Sequence, residues 1–222
     1  MPASGNPTIA LGLNANPDML IFKSRTSAEA WYISHKGLTN QSNRFLRFDT
    51  SAEITNNNWF NNTAPTSNVV TLRVGGGISA NEDVVIYSFS AVEGYSAFTS
   101  HTVSSGTNFV YLGFRPRLVM LKRTGAGTTT NIAYASWAMF DTERDTYNEV
   151  DFDTILYANR SHAEGKRGDT AGSTGGSYLN IDILSNGIRF QSGAAEFSQP
   201  SDKIIVMAWA EHPFASNGGL AR

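Results

Sequence analysis

The sequence predicts an all-β fold: an antiparallel β-sandwich of the jelly-roll or lectin-like kind, built from two sequence-related halves. Three observations lead there. Short apolar runs alternate with polar turns along the whole chain, and twenty glycines punctuate them. No window places apolar residues at i, i+3, i+4 and i+7 over a helical length. One phrase also occurs twice. Pro17, Asp18, then Met19, Leu20, Ile21 and Phe22, then Lys23, is answered by Pro116, Arg117, then Leu118, Val119, Met120 and Leu121, then Lys122.

In chain order, Ile9, Leu11 and Leu13 alternate and predict an edge strand. Met19–Lys23 is an apolar run bounded by proline and charge, the pattern of an inner strand. Trp31, Ile33 and His35 alternate with Tyr32 and Ser34 and predict a second strand, ending at Gly37. Phe45, Leu46 and Phe48 predict a third. Val69–Val74 follows and is broken by Gly75-Gly76-Gly77. Val84–Phe89 and Phe98–Val103 come next, and Phe109–Arg123 runs across Pro116.

The second half keeps the order of these landmarks. The opening phrase recurs at an offset of 99 residues (116 against 17). Trp137 answers Trp31 at 106, Glu164 answers Glu53 at 111, and Trp209 answers Phe89 at 120. A growing offset with a fixed order is how a duplicated unit diverges, because insertions are tolerated in loops. The repeats are placed at 17–98 and 116–214, within one sandwich domain covering 1–222. Two separate small sandwiches are the alternative, but no linker separates the copies, which favours one shared core. Phe109–Arg123 is read as the seam where one copy passes into the next. That predicts a shared core, with Met19, Ile21, Leu118 and Met120 buried together or in equivalent places.

Composition narrows the function. The 222 residues carry a formal net charge of −2, so no electrostatic attraction to nucleic acid is expected. No apolar run approaches the ~20 residues of a membrane-spanning helix, and the first residues lack the pattern of a secretory signal. There is no cysteine, which excludes disulfides and thiolate metal sites.

No motif for chemistry stands out, and no catalytic residue, metal site or cofactor is expected. Glu53 and Glu164 are explained by their equivalent repeat positions. The acidic run from Asp141 to Asp153 has calcium-loop spacing, but Thr146 stands where the sharp turn needs glycine and Phe152 where the bidentate Glu belongs. His35, His101, His162 and His212 are scattered. Asn57, Asn58, Trp59, Phe60 and Asn62 combine flat rings with amides, which is what a sugar-binding surface needs. The competing reading makes Trp59 and Phe60 core anchors that close a loop.

Several phrases together resemble the C-terminal module of tail-fibre and related tail proteins of tailed bacteriophages, many of them marine. They are Pro17–Arg25 with Trp31–Leu38, Phe48–Glu53, Asn58–Asn62, Val92–Ser96, Phe109–Thr124, Phe140–Asn148, Leu184–Gly187 and Ala208–Phe214. The resemblance covers nearly the whole chain; the stretch Gly165–Ser177 departs from it as an insertion. It implies a virion protein assembled in the host cytoplasm and released by lysis. It also implies a homotrimer, with other virion proteins and a bacterial surface receptor, glycan or protein, as partners. Two further readings stand beside this one: a structural capsid-decoration or tail-scaffold protein, and a polysaccharide depolymerase.

Overall fold

The computed structural model describes residues 2–48, 58–106, 108–124, 136–144, 148, 154–159, 161, 164, 181–190 and 201–213. Every regular element among them is a β-strand, and every strand-to-strand ladder is antiparallel. The chain divides into two compact units, Met1–Ser90 and Ala91–Arg222.

The first unit holds β1 (Thr8–Ala10), β2 (Met19–Ser24), β3 (Tyr32–His35), β4 (Leu46–Arg47), β5 (Val69–Thr71) and β6 (Val84–Phe89). They form a four-stranded sheet, β4-β3-β2-β6, and a two-stranded sheet, β1-β5. Leu20 and Phe22 of the large sheet and Val70 of the small one join a single apolar cluster with Tyr32, Phe45, Trp59, Phe60, Leu72 and Ile78. Alternate residues of one strand point to opposite faces, so one face of each sheet supplies this core.

The second unit holds β7 (Ser96–Thr102), β8 (Asn108–Tyr111), β9 (Pro116–Arg123), β10 (Ala138–Asp141), β11 (Leu156–Tyr157), β12 (Ile181–Leu184), β13 (Gly187–Phe190) and β14 (Lys203–Ala210). The sheets are β11-β10-β9-β14-β7 and β12-β13-β8. Val119, Leu121, Phe140, Ile204, Val206 and Ala208 from one sheet meet Val110, Ile181, Ile183, Ile188 and Phe190 from the other.

The two units are the same sandwich built twice. The order β4-β3-β2-β6 is repeated by β11-β10-β9-β14, and β1-β5 by β8-β13. The equivalence holds to the residue. Met19 pairs with Phe89, and their counterparts at offsets 99 and 120, Leu118 and Trp209, pair with each other. Met19 also pairs with His35, and Leu118 with Asp141, so β3 and β10 keep the offset of 106. Loop hydrogen bonds repeat too. Lys36 N donates to Asp18 O at 2.8 Å and Thr142 N to Arg117 O at 3.0 Å; Leu11 N donates to Asn68 O and Leu112 N to Asn186 O, both at 2.9 Å. Gly12 and Gly113 occupy one position, 101 apart, with φ of +66° and +82°, a backbone that glycine adopts at little cost.

Two boundaries differ from the sequence expectation. Each unit has its own apolar cluster, and among the described residues the two clusters have no residue in common. Phe109–Arg123 is not the seam. Its strands β8 and β9 both belong to the second unit, and the division falls at Ser90 and Ala91. β8 is the counterpart of β1, so each copy opens one strand earlier than the repeated phrase. β7, which the repeat at 17–98 partly absorbed into the first copy, pairs with β14 along Ser96–Thr102. Met19, Ile21, Leu118 and Met120 do occupy equivalent places, but on the sheet faces turned away from the clusters.

Trp59 is the hub of the first core. Its ring lies 4.6 Å from Tyr32, 5.2 Å from Phe22 and 5.4 Å from Phe45. Gly77, at φ +145°, lies against the indole so closely that a Cβ there would overlap it. Gly5 also has positive φ, +94°, but open space around it. Gly77→Ala should therefore cost about 2–3 kcal/mol in urea unfolding, through overpacking. Gly5→Ala should cost about 1 kcal/mol, through backbone strain alone.

Candidate functional site

Of the residues the sequence singled out for surface contact, Asn57 lies outside the described residues. Trp59 and Phe60 are 2% and 1% exposed. Their rings are packed into the first core and are not offered to a ligand, because the cluster around Phe22 and Tyr32 gains more from them than solvent does. Asn58, Asn61 and Asn62 have another role. Their φ angles are +44°, +50° and +54°, the left-handed region that asparagine tolerates better than other side-chain-bearing residues. The turn is closed by Asn61 N donating to Asn58 O at 3.0 Å and Thr63 N to Phe60 O at 2.8 Å. The amides are there for the backbone as much as for any partner.

The exposed rings are elsewhere. On the three-stranded sheet of the second unit, the face turned from the core carries two rows across β12, β13 and β8. One row is Asp182, Arg189, Phe109; the other is Leu184, Gly187, Tyr111. Tyr111 is 68% exposed and Phe109 39%. Arg189 Nε donates to Asp182 Oδ2 at 2.7 Å, and the neighbouring nitrogen bonds the same oxygen. Asp182 is buried beneath it, while half of the Arg189 side chain stays open. Gly187 makes room for this arrangement: a Cβ there would overlap Val110 O and lie 3.1 Å from Phe109 Cζ. The outcome is a flat apolar patch bordered by a guanidinium held in one orientation.

The free edge of this sheet is fastened. Asn148 Nδ2 donates to Ile183 O at 3.0 Å, and Ile183 N donates to Asn148 Oδ1 at 2.8 Å. Arg115 Nη1 donates to the same carbonyl at 3.0 Å, and its Nε lies 2.8 Å from Glu211 Oε2. The face therefore sits on a braced strand pair.

The first copy is a built-in control. The counterparts of Phe109 and Tyr111, at the offset of 101 set by the paired glycines, are Thr8 and Ala10. That copy folds the same way without rings there, so the fold does not require them. A reader of the sequence could have found the patch by aligning the copies from Gly12 and Gly113 and asking which outward residues changed.

The remaining sequence candidates are structural where they are described. Glu53 and His162 lie outside the described residues, as does much of the run from Asp141 to Asp153. Glu164 stands 4.0 Å from Arg144 Nη1. His35 is buried, and its Nδ1 accepts from Gly37 N at 2.9 Å. The His101 ring bonds Asn108 Oδ1 at 2.9 Å and stacks on Phe190. No group of three or more His, Asp or Glu fit to hold a metal ion occurs among the described residues. Asp141 caps a turn: its Oδ1 accepts from Glu143 N and Arg144 N, and its Oδ2 from Arg144 Nε at 2.6 Å. Burial works to raise its pKa, but the hydrogen bonds and charge of Arg144 outweigh that and hold the carboxyl below its ordinary value of 3.8.

The chain belongs to the family described as Domain of unknown function (DUF7483), whose model matches residues 2–213. No curated protein and no solved structure matches it. The matched span runs through both units.

The depressed pKa of Asp141 has a stability consequence. Between the lowered value and 3.8 the unfolded chain binds a proton that the folded chain does not, so stability falls as pH falls through that window. Asp141→Asn should lower unfolding free energy by about 1 kcal/mol at pH 7. Urea melts of the two proteins should converge as pH drops below 3.8.

Proposed function

We propose that this protein is a bacteriophage virion protein: a receptor-binding module of the tail-fibre tip, which contacts a glycan of the bacterial surface through Phe109, Tyr111 and Arg189. One observation carries the choice of site. Two aromatic rings stand open on a braced sheet face where the twin copy has Thr8 and Ala10. Contiguous apolar surface left open to water, rimmed by polar groups, is a mark of an interaction site. A sugar presents an apolar face to a ring and hydroxyls to a fixed charged donor. The Asp182 partner holds Arg189 in place, so its ordering cost is met before a ligand arrives.

The phage assignment rests on the resemblance to tail-fibre modules. The reading is one of binding without chemistry, by a homotrimer that sets several such faces side by side; repeated weak contacts then add through effective concentration. The structural alternative, a virion protein that meets only other virion proteins, draws support from the open aromatic pair Trp31 and Tyr87 on the first unit.

Tyr111→Ala and Phe109→Ala should each weaken adsorption of the purified protein to host cells by about tenfold. Their unfolding free energies should stay within about 0.5 kcal/mol of the parent, since exposed side chains contribute little to folding. Binding to host cells and to a glycan array reads the first effect, and urea melts read the second. Unchanged adsorption in both variants would remove this face from the proposal.

A further inference from the structure

In the second unit β14 has strands on both sides: β9 on one and β7 on the other. Its counterpart β6 pairs with β2 along one edge, and among the described residues no strand pairs its other edge. Burial reports the difference at matched positions. Ile204, Ile205, Val206, Met207 and Ala208 are at most 1% exposed. Their counterparts Val84, Val85, Ile86, Tyr87 and Ser88 are all partly open, Tyr87 reaching 47%.

The direction of the backbone groups follows from the ladder. Asp83 O and Phe89 O accept from β2-side amides, those of Arg25 and Asp18. Groups alternate along a strand, so Val85 and Tyr87 face β2, while Val84, Ile86 and Ser88 present N–H and C=O to the open side. On β14 the same parity holds: Ala210 N donates to Tyr95 O, and Asp202 O accepts from Val103 N, on the β7 side.

Exposed strand edges invite pairing, and proteins commonly blunt them with charge, proline or short length. β6 is six residues, VVIYSF, with none of these devices. Several other edges are managed. Asn148 occupies that of β12, β4 and β11 are two residues long, and β7 is mostly Ser and Thr. Beside β6, the outward face carries the stacked pair Trp31 and Tyr87, centroids 6.4 Å apart. The equivalent corner of β14 is closed by β7: Phe98 pairs with Met207 and packs edge-on against Trp209 at 5.8 Å.

We propose that the free edge of β6 is a docking site for an extended segment of another polypeptide, which adds as an antiparallel strand beside Val84–Ser88. β7 on β14 defines the occupant's chemistry. It is an uncharged strand with an aromatic residue opposite Tyr87, as Phe98 lies opposite Met207, and small polar residues around it. Main-chain hydrogen bonds to Val84, Ile86 and Ser88 supply affinity, and the aromatic residue covering Tyr87 and Trp31 supplies register. This site is independent of the glycan face of the second unit.

The probe is a synthetic peptide with the sequence of Ser96–Thr102, labelled and titrated into the intact protein. Saturable binding is expected, with new hydrogen-exchange protection at Val84, Ile86 and Ser88 and none added at Val85 and Tyr87. Ser88→Pro removes one outward donor without touching a β2 bond, and Tyr87→Lys puts a charge where the aromatic residue docks. Each should weaken binding by about tenfold, and Tyr87→Lys should leave the melting temperature unchanged. Absence of saturable binding, or binding indifferent to both variants, would overturn the proposal. So would self-association of the protein through β6, abolished by Tyr87→Lys, with no peptide binding; the edge would then belong to a second copy.

Discussion

Each half of this molecule depends on one long-range antiparallel ladder within its large sheet, β2 with β6 and β9 with β14. β2 finds β6 with Met19 opposite Phe89, and β9 finds β14 with Leu118 opposite Trp209. The partners are 70 residues apart in the first case (89 − 19) and 91 in the second (209 − 118). The longer loop costs only about 0.2 kcal/mol more to close. Register is another matter. A slip by one residue would turn Leu20 and Phe22, or Val119 and Leu121, out of the core and replace them with Met19 and Ile21, or Leu118 and Met120. Both faces of these strands are apolar, so hydrophobic pattern alone leaves the choice of face weakly determined. The loop hydrogen bonds that recur in both copies, Lys36 to Asp18 and Thr142 to Arg117, hold β2 in register with β3 and β9 with β10.

With the interior held constant by that ladder, the two copies diverged outside it. Lys23 and Trp31 of the first copy stand where the second has Lys122 and Trp137. In the second copy both are fully buried, with the ammonium 5.9 Å from the indole centroid. In the first, Trp31 is 41% exposed and stacks on Tyr87, while Lys23 Nζ is bonded to Glu29 O. The small sheets diverged the other way, with Thr8 and Ala10 in the first and Phe109 and Tyr111 in the second. A duplicated sandwich thus acquires two unlike surfaces, one with Phe109 and Tyr111 open on its small sheet and one with Trp31 stacked on Tyr87. Function follows the surfaces that the fold leaves free.

Much of the architecture was legible in residue order. The offsets of 99, 106 and 120, read from prolines, tryptophans and apolar runs, coincide with the observed pairing of Met19 with Phe89 and of Leu118 with Trp209. The candidate site was less legible. An aromatic pair among asparagines fits a sugar-stacking loop and a core anchor equally well, since both uses want the same rings. Asparagine's tolerance of left-handed backbone then made Asn58, Asn61 and Asn62 resemble ligand contacts. Phe109 and Tyr111 were hidden inside an apolar run whose alternate members, Val110 and Leu112, are buried.

By itself, then, the sequence determined the all-β class, the duplication and the landmarks that set each ladder, because strand period, turn residues and repeat order are local properties of the chain. Only the tertiary structure decided that each half gathers an apolar cluster of its own, that the division falls at Ser90, that β7 completes the second sheet, and which rings face water. Those outcomes depend on what packs opposite each strand. Two faces of equal hydrophobicity carry no mark of which will meet a partner, and that is settled only when the sheets close on one another.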